Sequence, residues 1–245
     1  MKKTYNVYRV WDLPVRLFHW INFLCITGLL MLGTMILYHR DLGLSDEGEA
    51  LVQTIHVYVG YIFAINLFVR LIWAFAGNRF ARWDNLIPVG SGYTSKLRNY
   101  LNAAREGKHL LYLGHNPLGQ LAVFAIIIAL LAMIISGLLM AGTDLYMPPF
   151  GSYFQNWVAA AGVNPSDVIA HVRDNVDETA FAEMRAFRRP FSTIHVWTYY
   201  IIIGLVILHI FAVIYTEVKT GVNLISAMFT GKKVMPGEAE DEDEK

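Results

Sequence analysis

Leu121–Gly142 reads LAVFAIIIALLAMIISGLLMAG, an unbroken apolar run without a single charged residue. A bilayer core about 30 Å thick is crossed by about 20 such residues in a helix. A backbone in lipid must satisfy its own hydrogen bonds, so the run is read as a helix and not a strand. Working outward, it belongs to a predicted span over 118–141, and three other stretches qualify: 17–37, 51–75 and 194–215. The second of these carries Arg70 near one end. The predicted fold class is therefore all-α and integral to a membrane, with four transmembrane helices.

Composition agrees. Of 245 residues, 55% are hydrophobic and only 16% charged, against about 25% charged in soluble domains. This argues against a soluble enzyme. Twenty basic residues balance twenty acidic ones, which excludes a nucleic-acid binder working through a basic surface. The single cysteine, Cys25, excludes an internal disulfide, a cysteine-ligated zinc site and a cysteine-ligated iron–sulfur cluster. It lies in an apolar run and reads as a small buried hydrophobe. The basic N-terminus before the first span resembles a secretory signal. The apolar run is longer than a signal core and no small-x-small cleavage site follows, so it is read as a retained span.

Loop charges give an orientation. Lys2, Lys3, Arg9 and Arg16 precede the first span, and Arg79, Arg82, Lys96, Arg98, Arg105 and Lys108 lie between the second and third. The loop between the first and second spans is acidic, with Asp41, Asp46, Glu47 and Glu49. The positive-inside rule then places both termini and the middle loop in the cytoplasm. Arg185, Arg188 and Arg189 crowd the outer end of the fourth span; interfacial snorkelling and partner docking both account for them. The outer loop, 142–193, is long enough for a small subdomain. A helix is expected over Ser166–Phe187, with Ser166 as its cap and Asp167 in its first turn. Residues 1–230 are read as the membrane domain and 231–245 as an acidic, disordered tail. No internal repeat, phosphate-binding glycine loop, HExxH or GxSxG motif is present.

Ionisable groups within spans are rare and tend to be functional. Four histidines fall in or at the ends of spans. His19 and His209 lie near the cytoplasmic ends of spans one and four; His56 and His195 lie near the outer ends of spans two and four. They form two pairs at two depths. His195 and His209 are 14 residues apart, which returns the helix to within about 40° of its starting direction after a rise of about 21 Å. Both imidazoles thus face one side of a bundle at two levels, as two stacked haems require. Two neutral imidazoles make a sound axial set for haem iron, and with both axial positions filled the iron carries electrons and binds no substrate.

Arg70 lies 14 residues after His56, at the inner haem level, where it either snorkels or pairs with a haem propionate. Gly33 and Gly60 either allow a macrocycle close to the backbone or serve helix packing. His115, with Asn116 and Gln120, opens span three at the cytoplasmic surface. These residues are read either as a helix cap or as a quinone site in which the imidazole, titrating near neutral pH, passes protons.

At this point the motifs resemble a known family. Pro14-Val15-Arg16-Leu17-Phe18-His19-Trp20 is similar to the first-span entry of the b-type cytochrome subunit of membrane-bound nickel–iron hydrogenases. Arg70-Leu71-Ile72-Trp73-Ala74-Phe75-Ala76-Gly77-Asn78-Arg79 resembles its second-span exit, and Gly114-His115-Asn116-Pro117-Leu118-Gly119-Gln120-Leu121-Ala122 its third-span entry. His195-Val196-Trp197, His209 and Ile225-Ser226-Ala227-Met228-Phe229-Thr230-Gly231 resemble span four and its exit. The resemblance implies a four-helix subunit of the bacterial inner membrane enclosing two b haems. His56 and His195 would ligate the outer haem and His19 and His209 the inner. Such a subunit takes electrons from a periplasmic-facing hydrogenase and passes them to quinone in the respiratory chain. A relay for another periplasmic redox protein, such as a multihaem c-type cytochrome, and a redox-inactive membrane anchor are the alternatives. Whether the chain counts as an enzyme in its own right is left open.

Overall fold

The computed structural model describes residues 5–90 and 92–242. In chain order the elements are β1 (Asn6–Arg9), α1 (Leu13–Leu37), α2 (Asp46–Ala76), α3 (Tyr93–Arg105), α4 (Pro117–Asp144), α5 (Gly151–Val158), α6 (Glu178–Thr220), α7 (Leu224–Thr230) and β2 (Lys232–Met235). Four of them, α1, α2, α4 and α6, are long and apolar enough to cross a membrane. Each contains one expected span and extends past it. The largest extension is in α6, 43 residues long, which runs through Pro190 without ending.

The chain forms two compact units. Among the described residues, the first comprises 5–24, 65–90, 92–128 and 203–242. Its organisation starts at Asp12, whose carboxylate caps α1 by accepting from the Val15 amide at 3.0 Å. The same carboxylate accepts from Trp73 Nε1 at 2.9 Å and the Asn78 amide at 3.3 Å, so one side chain fixes the start of α1 to the end of α2. Asn66 in α2 donates to Asn22 Oδ1 at 2.8 Å and to the Phe18 carbonyl at 3.1 Å. Paired amides of this kind satisfy each other where lipid offers no partner.

The strands β1 and β2 pair antiparallel, Asn6 opposite Met235 and Arg9 opposite Lys232. They rest on a core of Val10, Phe80, Leu113, Val222 and Met235. This corrects the expected tail: its first residues form a strand, because Val234 and Met235 carry apolar side chains into that core. The loop 112–114 is gripped from the C-terminal segment on both of its polar edges. Lys233, only 3% exposed, donates from Nζ to the carbonyls of Tyr112, Leu113 and Gly114 at 2.9, 2.8 and 3.1 Å. Asp241 accepts from the amides of Leu113 and Gly114 at 2.6 and 2.9 Å. Burial pushes the Lys233 ammonium down to about 8 against the opposing pull of Asp241.

The second unit comprises Cys25–Ala64 and Ala129–Ile202. Cys25 is free and buried, as expected. The loop after α4 packs α5 and an extended segment around Phe154, Val158, Val168, Val176 and Met184. Here the expected helix over Ser166–Phe187 is corrected. Pro165–Asp167 forms one 3-10 turn capped by Asn164, the chain from 168 to 177 is not helical, and only the second half of the expected stretch is helix, as the start of α6 at Glu178. Val176 then bridges to Ala159 as extended chain, which keeps two valines in the core. The true cap of α6 is Asp177, which accepts from the Ala180 amide at 2.8 Å.

Replacing Lys233 with methionine leaves three buried carbonyls without their donor. An unmade buried hydrogen bond costs about 1–3 kcal/mol. For a chain of this size 1 kcal/mol is about 2–4 °C in melting temperature. Thermal unfolding of the detergent-solubilised variant is expected to show a drop of at least that size.

Candidate functional site

In the second unit His56, on α2, and His195, on α6, face each other across a cavity of about 230 Å³. A void of that size is well beyond the packing defects of protein interiors. Helices α1, α2, α4 and α6 all line it, almost wholly with apolar side chains. The two rings have centroids 6.3 Å apart with their planes at 69°. A metal–imidazole bond is about 2 Å long, so two imidazoles on opposite sides of one metal ion have ring centres about 6 Å apart. The observed separation fits an axial pair.

The protonation pattern fits as well. Ser136 Oγ donates its one proton to the Ala132 carbonyl at 2.6 Å and lies 2.9 Å from His195 Nδ1. With that proton committed, Oγ accepts from Nδ1–H. The lone pair of the neutral ring then sits on Nε2, the nitrogen a metal would use. Gly137, the next residue, stands against the same ring: a Cβ there would be 3.2 Å from His195 Cε1. Gly33 stands against the other ring, its virtual Cβ 3.5 Å from His56 Cε1. A Cβ on Gly60, which also lines the cavity, would meet nothing within 4 Å. The imidazoles are thus flanked by backbone on two sides, and His56 Nδ1 is buried without a hydrogen-bond partner.

The other expected pair, His19 and His209, falls in the first unit. The two rings are close enough to interact electrostatically. His19 Nδ1 is buried and unpartnered, and Trp20 lies edge-on to the His19 ring at 5.2 Å. Arg70 is in the same unit, 5% exposed. Its Nη1 donates to the Ala81 carbonyl at 3.0 Å, and its guanidinium lies 5.7 Å from the Phe18 ring centre. It does not snorkel.

Of the cluster at the start of α4, Asn116 caps the helix, its Oδ1 accepting from the Gly119 amide at 2.7 Å. Gln120 donates to the carbonyls of Asp84 and Ile87, both at 3.0 Å. His115 lies against the Trp11 ring at 5.2 Å, with Nδ1 buried and unpartnered. Burial, then the charges of Lys233 and Arg70, push it down to about 3. The ring is neutral at pH 7, which corrects the expectation of titration near neutrality.

Sequence reading missed Gly137, Asp144 and Arg188 as parts of the cavity wall, and Ser136 as the partner of His195 behind it. Ser136 had a signal, being the one hydroxyl in the Leu121–Gly142 run. The others take their meaning from what stands opposite them.

Apolar helices of spanning length with buried imidazoles facing each other at metal-pair distance define a membrane haem protein. Comparison with known families gives the particular kind: the chain belongs to the prokaryotic cytochrome b561 family, whose model matches residues 10–231. Its four helices of spanning length fit a membrane protein of that family. The chain is 33% identical over 150 residues to the probable Ni/Fe-hydrogenase 1 B-type cytochrome subunit of Escherichia coli K12, a match covering 56% of this chain. That match spans 62% of the relative, less than two thirds of its length. Identity to the probable Ni/Fe-hydrogenase B-type cytochrome subunit of Rhodobacter capsulatus is 27% over 248 residues, 95% of this chain and 83% of the relative. Identity to the subunit of that name from Azotobacter vinelandii is 32% over 171 residues, 64% of this chain and 69% of the relative.

Gly137→Leu places a branched side chain where His195 Cε1 allows little more than a hydrogen. The His195 ring must move, and the variant is expected to lose the haem signal of the His56–His195 pair while its helical circular dichroism stays unchanged.

Proposed function

We propose that the chain is a di-haem b subunit of the bacterial inner membrane that passes electrons from a periplasmic-facing nickel–iron hydrogenase to the quinone pool. The observation that carries this reading is the His56–His195 pair, its rings 6.3 Å apart and one of them fixed by Ser136. The hydrogenase as partner rests on the names of the relatives. The side of the membrane rests on loop charge, which puts both termini and the 77–116 loop in the cytoplasm and His56 and His195 toward the outside.

Bound haem supplies a one-electron carrier. The chain's part is to hold it and to restrict what it does. His56 and His195 would hold the outer haem and His19 and His209 the inner, and with two imidazoles each the iron would be left to carry electrons and not to bind an external ligand. The apolar cavity wall keeps water out. Ser136 holds His195 in one tautomer and one orientation.

At the cytoplasmic end, His115 with Asn116 and Gln120 is the quinone site in this reading. The Trp11 ring beside His115 offers an aromatic wall for a flat head group. A neutral imidazole both donates and accepts hydrogen bonds. Asn116 and Gln120 are four residues apart, one helix turn; the cap uses Asn116 Oδ1 and the carbonyl bonds of Gln120 use its Nε2.

The reading is tested on purified protein by the dithionite-reduced spectrum and the haem-to-chain ratio. About two b haems per chain are expected. His195→Ala is expected to remove one and His209→Ala the other, each leaving its counterpart low-spin; a single haem surviving neither change, or two surviving both, excludes the assignment. His115→Ala, with both haems present, is expected to slow quinone reduction by tenfold or more while reduction by the hydrogenase continues. Unchanged quinone turnover places that site elsewhere.

A further inference from the structure

Three arginines stand near the start of the long helix α6, and the structure separates them. Arg185 and Arg189 are exposed, as snorkelling or docking residues are. Arg188 instead lines the His56–His195 cavity, as does Asp144 at the end of α4. The two form an ion pair, Arg188 Nη2 to Asp144 Oδ2 at 2.8 Å, with both side chains 29% exposed. The Nε of Arg188 is buried and has no hydrogen-bond partner. A guanidinium keeps its five donors in a fixed fork, and a carboxylate matches the Nε–Nη edge with two parallel bonds. Asp144 engages one arm, and the Nε edge is left without an acceptor in a wall that is mostly apolar. A charged donor shielded from water and unmatched is costly, so the site is incomplete without an anion.

Position identifies that anion. Arg188 lies seven residues before His195 on one helix, two turns and about 10 Å away along it. Asp144 lies seven residues after Gly137, the residue against the His195 ring, on α4 running the other way. Both side chains therefore sit at one level, two turns from the imidazoles. A macrocycle gripped between imidazoles of α2 and α6 stands across the line joining them, so its rim runs along the helices. The acidic substituents of haem b lie on that rim. We propose that Arg188, held in place by Asp144, binds a propionate of the haem ligated by His56 and His195, and that its charge raises the reduction potential of that haem. This rests on the reading of the pair as axial ligands. A positive charge beside the rim favours the reduced iron, which carries one positive charge fewer.

The test is a redox titration of the purified, haem-loaded protein, together with haem loss to excess apomyoglobin, for wild type, Arg188→Gln, Arg188→Lys, Asp144→Asn and Arg189→Gln. In Arg188→Gln one of the two haems is expected to titrate at a lower potential. A tenfold change in its ferric-to-ferrous ratio is about 59 mV for one electron. The same haem is expected to leave about tenfold faster, since a charge-assisted hydrogen bond is worth about 1.5–3 kcal/mol and 1.4 kcal/mol is tenfold. Arg188→Lys keeps the charge without the fork, so the potential should stay near wild type while haem loss accelerates. Asp144→Asn is expected to shift the potential upward, and Arg189→Gln to match wild type. A potential that stays fixed in Arg188→Gln, with or without reduced haem content, overturns the proposal, as a merely structural role would not move it. If His195→Ala still removes a haem in that case, the axial-ligand reading stands and only the role of Arg188 falls. Wild-type protein that binds no haem overturns both.

Discussion

An imidazole inside a membrane span has two nitrogens and no water to satisfy them, and most of what is distinctive in this protein answers that constraint. In His195 one nitrogen is spent on Ser136, whose own proton goes to the Ala132 carbonyl. The other is left with its lone pair directed at a cavity faced by His56. Neither end of that chain of bonds is optional. Without Ser136 the ring would be free to turn, and without a metal the remaining lone pair would have no partner in an apolar wall. Glycine at 33 and 137 removes the side chains that would otherwise crowd the rings. The helices of this unit thereby enclose an apolar cavity of about 230 Å³ beside the two rings.

The first unit is held by different means. There the recurring device is a polar side chain from one segment saturating the backbone of another. Asp12 gathers the start of α1 and the end of α2. Lys233 and Asp241 together satisfy the carbonyls and amides of a loop about 120 residues away. Such bonds are local and directional. They fix the loop that carries His115 into the start of α4 without needing a large apolar core.

Helices were the legible part of the sequence. An uncharged run such as Leu121–Gly142 has one physical solution in lipid, and the depth of each histidine follows once the spans are drawn. The pairing of His56 with His195 was readable for the same reason. Polar residues at helix ends were not. Arg185, Arg188 and Arg189 share one composition and one neighbourhood, yet only Arg188 turns inward, because Asp144 comes from a helix 44 positions earlier and no local pattern announces it. Ser166 looked like a helix cap, but the apolar Val168 and Val176 are needed in the core around Phe154, and extended chain delivers them there. The acidic composition of the last residues pointed to disorder, whereas Asp241 is placed by the two amides it accepts from. Burial of a charged residue against backbone is set by tertiary contact, and composition does not report it.

The pairing of β1 with β2 joins the beginning of the described chain to its end, with Asn6 bonded to a residue 231 positions later. Synthesis runs at about 5–20 residues per second, so on the order of 10–50 s separate the appearance of the two strands. Throughout that interval β1 has an unpaired edge, while four spans enter the bilayer one after another. Unpaired edges are templates for wrong partners. The short length of β1, four residues ending in Arg9, is thus a kinetic safeguard: too brief to recruit a stranger, and long enough to close the two-stranded clasp once β2 emerges. Closure of this strand pair therefore waits until all four candidate spans have been made.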